Sequence, residues 1–180
     1  NIMQNLHYFL AEAQELKNDI VTAIEHWEAI FSTNPKFKDV ATKLETYADL
    51  RKSDNIKDYM TSSNQDFQTI CQQITAKLEL SVHEVKSTKS DMVVVIARES
   101  TKMVATKPLM KMVFYSRGTE SISENFIRDS IEEMKRANCS LCIVISTSNF
   151  TTSAKDFSRT RPIQLIDAKG LNELYVKSPD

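Results

Sequence analysis

Residues 143–174 read IVISTSNFTTSAKDFSRTRPIQLIDAKGLNEL, and this stretch decides the fold. The apolar run Leu141 to Ile145 ends in a Ser/Thr/Asn cluster, the pattern of a buried strand leaving its sheet. Phe150 then precedes Thr151, and Ala154 and Phe157 follow at helical spacing, which predicts a helix start with a threonine cap. Arg161-Pro162 ends that short helix, because the residue before a proline is pushed out of helical geometry. Ile163 to Ile166 reads as a second strand, and Asp167 caps a final helix carrying Leu171, Leu174 and Tyr175. Strand, helix, strand and helix joined by short connections imply neighbouring parallel strands.

Upstream, Ser62-x-x-Gln65 has capping-box spacing before the stripe Phe67, Ile70, Cys71, Ile74 and Leu78. Leu80 to Val85 alternates as a strand, Met92 to Ala97 is a continuous apolar run suited to a central strand, and Lys107 to Ser116 forms a third. Ser121-x-x-Glu124 opens a helix bearing Phe126, Ile127, Ile131 and Met134, closed by Asn138. The order is helix, three strands, helix, strand, helix, strand, helix. With this order, IVISTSNFTTSAKDFSRTRPIQLID resembles the distal half of the Mrr-type restriction endonuclease domain, a branch of the PD-(D/E)XK nuclease fold. The resemblance implies a mixed α/β sheet flanked by helices over residues 64–180.

It also implies a test of chemistry. A nuclease of this family holds Mg²⁺ with an Asp on the second strand and an acid or Gln two residues before a Lys on the third. The second-strand pattern falls on residues 93–97, which places Val94 where the metal-binding Asp would stand. The third-strand pattern falls on residues 113–115, where Val113 and Tyr115 replace ligand and lysine. Asp91 precedes the second strand and Glu84 lies on the first. Glu99 with Lys111 is the candidate pair for a migrated site. The resemblance thus implies a degenerate domain with no catalytic residues, metal or other cofactor.

Residues 1–51 carry a different periodicity. Leu6, Leu10, Ala13 and Leu16 share one face, Asn18-Asp19 breaks it, and Ile20, Ala23, Ile24, Trp27 and Ile30 make another. Thr33-Asn34-Pro35 predicts a cap with proline at the first helical position, before Phe37, Val40, Leu44 and Tyr47. Residues 4–37 resemble a tetratricopeptide repeat (TPR), with Leu10, Ala11, Ala23, Trp27 and Pro35 at its packing positions. His7 and Gln14 depart from it where large aromatics are usual. Repeats of this kind stack on neighbours, so the first helix is expected to keep an open apolar face around Ile2, Met3, Leu6, Phe9 and Leu10. Residues 52–63 are polar and read as a linker, with Ile56, Tyr59 and Met60 as its apolar anchors.

Composition narrows the function classes. The 180 residues are 41% hydrophobic and 26% charged, with only two glycines, which excludes glycine-rich phosphate loops. No run reaches the ~18 apolar residues of a membrane-spanning helix. The chain opens on Asn1, which reads as a fragment, so its compartment, cytoplasmic or membrane-tethered, is open. Residues 1–80 hold 8 basic and 12 acidic groups (net −4), and residues 81–180 hold 15 and 12 (net +3). This is short of a nucleic-acid footprint.

Cys139-x-x-Cys142 has metal or redox spacing but lacks a second pair, and Cys142 lies in a predicted buried strand. His7, His26 and His83 are scattered. The Ser/Thr run 146–153 suits either an anion or a helix cap, and the cap is favoured.

The expected architecture is therefore α+β: a TPR-like helical hairpin plus capping helix (1–51), a linker (52–63) and a restriction-endonuclease-like domain (64–180). The expected function is a non-catalytic scaffold for a protein partner taken through the N-terminal helices, with self-association through the first helix as a further contact. Its similarity to bacterial scaffold proteins implies an envelope or flagellar-motor setting. The alternative is a nucleic-acid-binding protein or a nuclease with a migrated active site.

Overall fold

The structure, a computed structural model, describes residues 2–17, 19–48, 54–100 and 109–176. Helices α1 (Ile2–Leu16), α2 (Ile20–Thr33) and α3 (Val40–Thr46) come first. They are followed by α4 (Asp54–Thr61), α5 (Asn64–Lys77), β1 (Leu80–Lys89), β2 (Met92–Glu99) and β3 (Met110–Ser116). The chain closes with α6 (Glu124–Arg136), β4 (Leu141–Ser146), α7 (Thr152–Ser158), β5 (Ile163–Ile166) and α8 (Ala168–Val176).

The five strands lie in the order β1-β2-β3-β4-β5. The β1/β2 and β2/β3 pairs are antiparallel, and β3/β4 and β4/β5 are parallel. Helices cover both faces, which is why β2 is buried over five consecutive residues rather than alternately. On one face Val93, Val95, Val113, Tyr115, Ile143 and Ile145 meet α4, α5 and α8 through Tyr59, Phe67, Ile74 and Leu171. On the other, Val94, Ile96, Met112, Phe114, Cys142 and Val144 meet α6 and α7 through Ile127, Met134 and Ala154. This is the mixed, helix-flanked sheet expected from residues 143–174, in an α+β chain that opens with helices.

Local rules account for most boundaries. Thr151 caps α7 by accepting from Ala154 N at 3.1 Å, and Asp167 Oδ1 accepts from Gly170 N at 2.9 Å. Asn138 takes a φ of 54° just past α6, a left-handed stop that asparagine tolerates. Other caps differ from the expected residues. Ser63 rather than Ser62 caps α5 by accepting from Asp66 N, and Ser123 rather than Ser121 caps α6. Residues 35–39 form turns and α3 starts only at Val40, so Pro35 is an exposed turn residue and not the first of a helix. Residues 54–61, expected as linker, are helical, and Ile56 and Tyr59 are buried against the sheet.

The first three helices have their own core of Tyr8, Ala11, Ala23, Ile24, Trp27, Ile30, Val40 and Leu44. Ala11 and Ala23 are fully buried where α1 meets α2, and Trp27 stacks on Tyr47 with ring centroids 5.8 Å apart. Glu15 ties the layer together by accepting from Lys43 and from Tyr47 Oη at 2.9 Å. Leu10, assigned to packing from the sequence, is exposed instead, and Tyr8, two residues earlier, takes the inner position. Leu10 joins Ile2, Met3, Leu6, Phe9 and Leu16 on an exposed face of α1.

His7 and His26 face each other across the hairpin with Nδ1 atoms 3.0 Å apart. Burial and the neighbouring His7 lower the His26 pKa, against weaker opposing pulls from Glu25 and Asp19. The folded state therefore binds its proton less readily than the unfolded chain. Stability should be full above the unfolded histidine value of ~6.5 and fall as pH drops below it. Thermal unfolding at acid and neutral pH should show this slope in the wild type, and His26→Gln should flatten it.

Candidate functional site

The carboxyl ends of β3, β4 and β5 lie at one edge of the sheet, the place where open α/β sheets take ligands. The antiparallel partner β2 starts at that same edge, with Met92 opposite Ser116 and Val94 opposite Phe114. A carboxylate at position 94 would point to the face shared by Met112, Phe114, Ile127 and Val144. Val113 and Tyr115 point to the opposite face. Val94, Val113 and Tyr115 therefore cannot converge on one ion, because successive strand residues alternate sides. Ligands sharing an ion with position 94 would have to stand at Phe114 and Ser116. Valine and phenylalanine offer no oxygen to a hard cation, and Ser116 offers one hydroxyl where a lysine would be needed. These residues do not fit Mg²⁺.

The acids near this edge are sparse. Asp91 ends the β1–β2 turn beside Gly118, where an added Cβ would meet Asp91 Oδ2 at 3.2 Å and Ser116 Oγ at 3.8 Å. Glu84 sits mid-edge on β1, opposite Ile96, with Lys86 within 3.7 Å. Glu99 and Lys111 are brought together, Oε1 to Nζ at 2.6 Å, but at the other end of the β2–β3 pair. Each charge neutralises the other there, far along the strand from Ser116. Among the described residues, no group of three or more His, Cys, Asp or Glu side chains is arranged to hold a metal ion.

Arg117, directly after β3, carries no motif of its own in the sequence beyond its place beside the third-strand pattern. Its guanidinium donates to Ser62 O at 2.6 Å, Asn64 Oδ1 at 2.9 Å and Ser90 O at 2.8 Å, and lies 4.2 Å from the Phe67 ring centre. The fork clamps the α4–α5 turn, the β1–β2 turn and the end of β3 together. Its donors are spent inside the molecule, where a phosphate-binding arginine would turn them outward.

The N-terminal helices sit across the same edge. Ser121 Oγ donates to Lys17 O at 2.7 Å, and Val21 packs against the core of the α4/α5/α8 face. Between the two parts lies an open cavity of ≈ 400 Å³, lined by Ile20 and Tyr47 on one side and by Thr147, Asp167, Lys169 and Glu173 on the other. One basic and two acidic side chains give it no preference for an anion. The serine cluster beside it is consumed locally: Ser146 Oγ meets Ser148 Oγ at 2.9 Å, and Ser148 Oγ donates to Glu120 O. The run 146–153 is thus a loop staple and a helix cap.

The cysteine pair has no reactive character. Cys139 and Cys142 are both buried free thiols of the α6 face. Burial pushes the Cys142 thiol up to about 12 and raises Cys139 as well, so both stay protonated and behave as small apolar residues.

A second feature missed in the sequence lies between α6 and α7. Phe157 is sandwiched by two guanidiniums, Arg128 at 4.0 Å and Arg161 at 3.4 Å from its ring centre, and Lys135 lines the same shallow cleft. In the sequence Arg161 marks only a helix stop. Acids temper the group, since Arg128 also pairs with Glu124 and Glu132 lines the cleft.

Comparison with known proteins decides the family. The profile of the Mrr catalytic-domain family, described as restriction endonuclease, matches residues 60–175. The chain belongs to this restriction endonuclease family. Among solved structures, the DNA modification-dependent restriction endonuclease AspBHI is similar with a TM-score of 0.49 at 14% identity. That similarity covers 72% of this chain and 34% of AspBHI, so the chain spans about a third of that enzyme's length. No curated protein matches the sequence. Among the described residues, no helix is long and apolar enough to cross a membrane.

Proposed function

We propose that this chain is a non-cleaving member of the restriction endonuclease family, whose nuclease-fold module works by binding and whose N-terminal helices take a protein partner. One observation carries the reading: the face on which a metal cage would have to assemble holds Val94, Phe114 and Ser116. The division of labour follows the proposed domain limits, a TPR-like helical segment over 1–51 and a family module over 64–180. The helix 54–61 belongs with the module, since it buries Ile56 and Tyr59 there. An envelope or flagellar-motor assembly is a setting consistent with such a scaffold.

Incubation of plasmid, single-stranded DNA and RNA with Mg²⁺ or Mn²⁺ should leave all three intact. Cutting that disappears in Glu99→Gln would overturn the reading and establish the Glu99–Lys111 pair as a migrated site.

A second reading, that the module binds nucleic acid without cutting it, is favoured by the family membership and by the Arg128–Phe157–Arg161 group. Binding of this kind should weaken steeply with salt. The variant Arg128→Ala/Arg161→Ala should weaken it several-fold on any sequence. Binding untouched by that pair would place the contact elsewhere.

A further inference from the structure

Helix α1 buries Tyr8 and Ala11 against its neighbours and leaves Ile2, Met3, Leu6, Phe9, Leu10 and Leu16 exposed, Ile2 and Leu16 at 86% and 85%. Ala13 lies exposed among them. Ile2, Leu6, Phe9, Ala13 and Leu16 are spaced alternately four and three residues apart, with Met3 and Leu10 widening the stripe. That is the a/d seam of one helix packing along another, on a face distinct from that of the buried Tyr8 and Ala11, with Met3 at its margin bordering the cleft formed with Ala29, Ile30 and Thr33 of α2.

We infer that this face docks a second copy of the chain, the two α1 helices pairing antiparallel about a twofold axis near Phe9. The inference rests on the proposed role of the N-terminal helices in protein binding and names their occupant. Three observations favour a second copy. The pairing is self-complementary: Ile2 and Met3 of one copy reach Leu16 and Ala13 of the other, as an isologous interface requires. The charges permit it, because Glu12 and Lys17, which flank the seam, are set against Asn5, Leu6 and Ile2 and not against their own counterparts. The six large side chains, 40–86% exposed, leave at most roughly 700 Å² per copy for a partner to cover, below the ~800 Å² of a standard interface and in the range of a weak dimer. A lipid surface is a poor fit, since α1 has no Lys or Arg where a membrane-lying helix is rich in them.

Sedimentation of the chain across low to high micromolar concentrations should show a monomer–dimer equilibrium. Phe9→Glu should weaken it by roughly thirtyfold or more, the loss expected for a central anchor. Its helical circular dichroism should be unchanged, because Phe9 lies outside the core. Lys57→Glu, exposed on α4, should leave association intact. A monomer at every concentration overturns the inference, and so does a dimer that survives Phe9→Glu.

Orientation is tested by cysteine pairing. Asn5→Cys/Ala13→Cys should oxidise to a covalent dimer, its two thiols being about 12 Å apart along one helix and so unable to close on each other. Asn5→Cys alone should not; cross-linking by the single variant would overturn the antiparallel pairing. Failure of these tests leaves the nuclease and nucleic-acid assays unaffected, so the two readings fail separately.

Discussion

Restoring the family's carboxylate by Val94→Asp should destabilise the protein strongly rather than revive it. Val94 is 1% exposed, and its neighbours on that face are Phe114, Ile127 and Val144, none of which donates a hydrogen bond from its side chain. An unpaired buried charge costs about 3–5 kcal/mol, a large share of the ~5–15 kcal/mol that holds a domain together. Burial would raise the folded-state pKa of the new acid above its unfolded value of ~3.9. The deficit should therefore be smallest in acid and grow as pH rises through that raised value. Urea midpoints at several pH values measure it directly. Adding Mg²⁺ or Mn²⁺ should recover no stability, because Phe114 and Ser116 cannot complete a cage. Recovery of the midpoint by metal would mean that position 94 still faces a competent ligand set.

That position also marks where the sequence stops being informative. Residues 143–174 are largely legible because most boundaries carry their own chemistry, a Thr cap at 151 and an aspartate at 167, although α7 ends at Ser158, ahead of Arg161-Pro162. The register of the site is not. A strand buried on both faces loses its polar alternation, so the period of two sorts the side chains within VVVIA or within MVFY, but nothing says which residues of the two strands share a face. Only the pairing of Val94 with Phe114 and Met92 with Ser116 settles it. The misplaced caps have a related cause. Ser62 and Ser63 are adjacent, and Ser121 and Ser123 are two apart, so several hydroxyls compete to accept from the first free N–H groups. The winner is set by how the helix docks. On α1 the repeat resemblance places Ile2, Met3, Leu6 and Phe9 on the open face, where they stand, but it also gives Leu10 a packing position that Leu10 does not take. Tyr8 and Ala11 won over Leu10 because the small Ala11 lets the two helices approach closely.

The second large effect is expected where the sequence suggests a polar connector pinned by Ile56, Tyr59 and Met60, anchors that do reach the core. Helix α4 reads DNIKDYMT and buries just two side chains, Ile56 and Tyr59, one turn apart. Too few apolar residues are present to register as a periodic face. Yet Tyr59 is fully buried, meets Phe67 edge-on at 4.9 Å and donates to Ser116 O at 3.3 Å. Phe67 carries the Arg117 guanidinium on its ring, so Tyr59, Phe67 and Arg117 join α4, α5 and the end of β3. Tyr59→Ala should cost about 3–5 kcal/mol, as for other buried aromatic truncations. Tyr59→Phe should cost about 1 kcal/mol, that of the hydrogen bond alone. Equilibrium unfolding separates the two terms, and proteolysis should cut the alanine variant first around residues 54–63. A true linker would give less than about 0.5 kcal/mol at this position. A measured value that small would return the segment to a connector and leave the α4/α5/α8 face to stand on Phe67, Ile74 and Leu171.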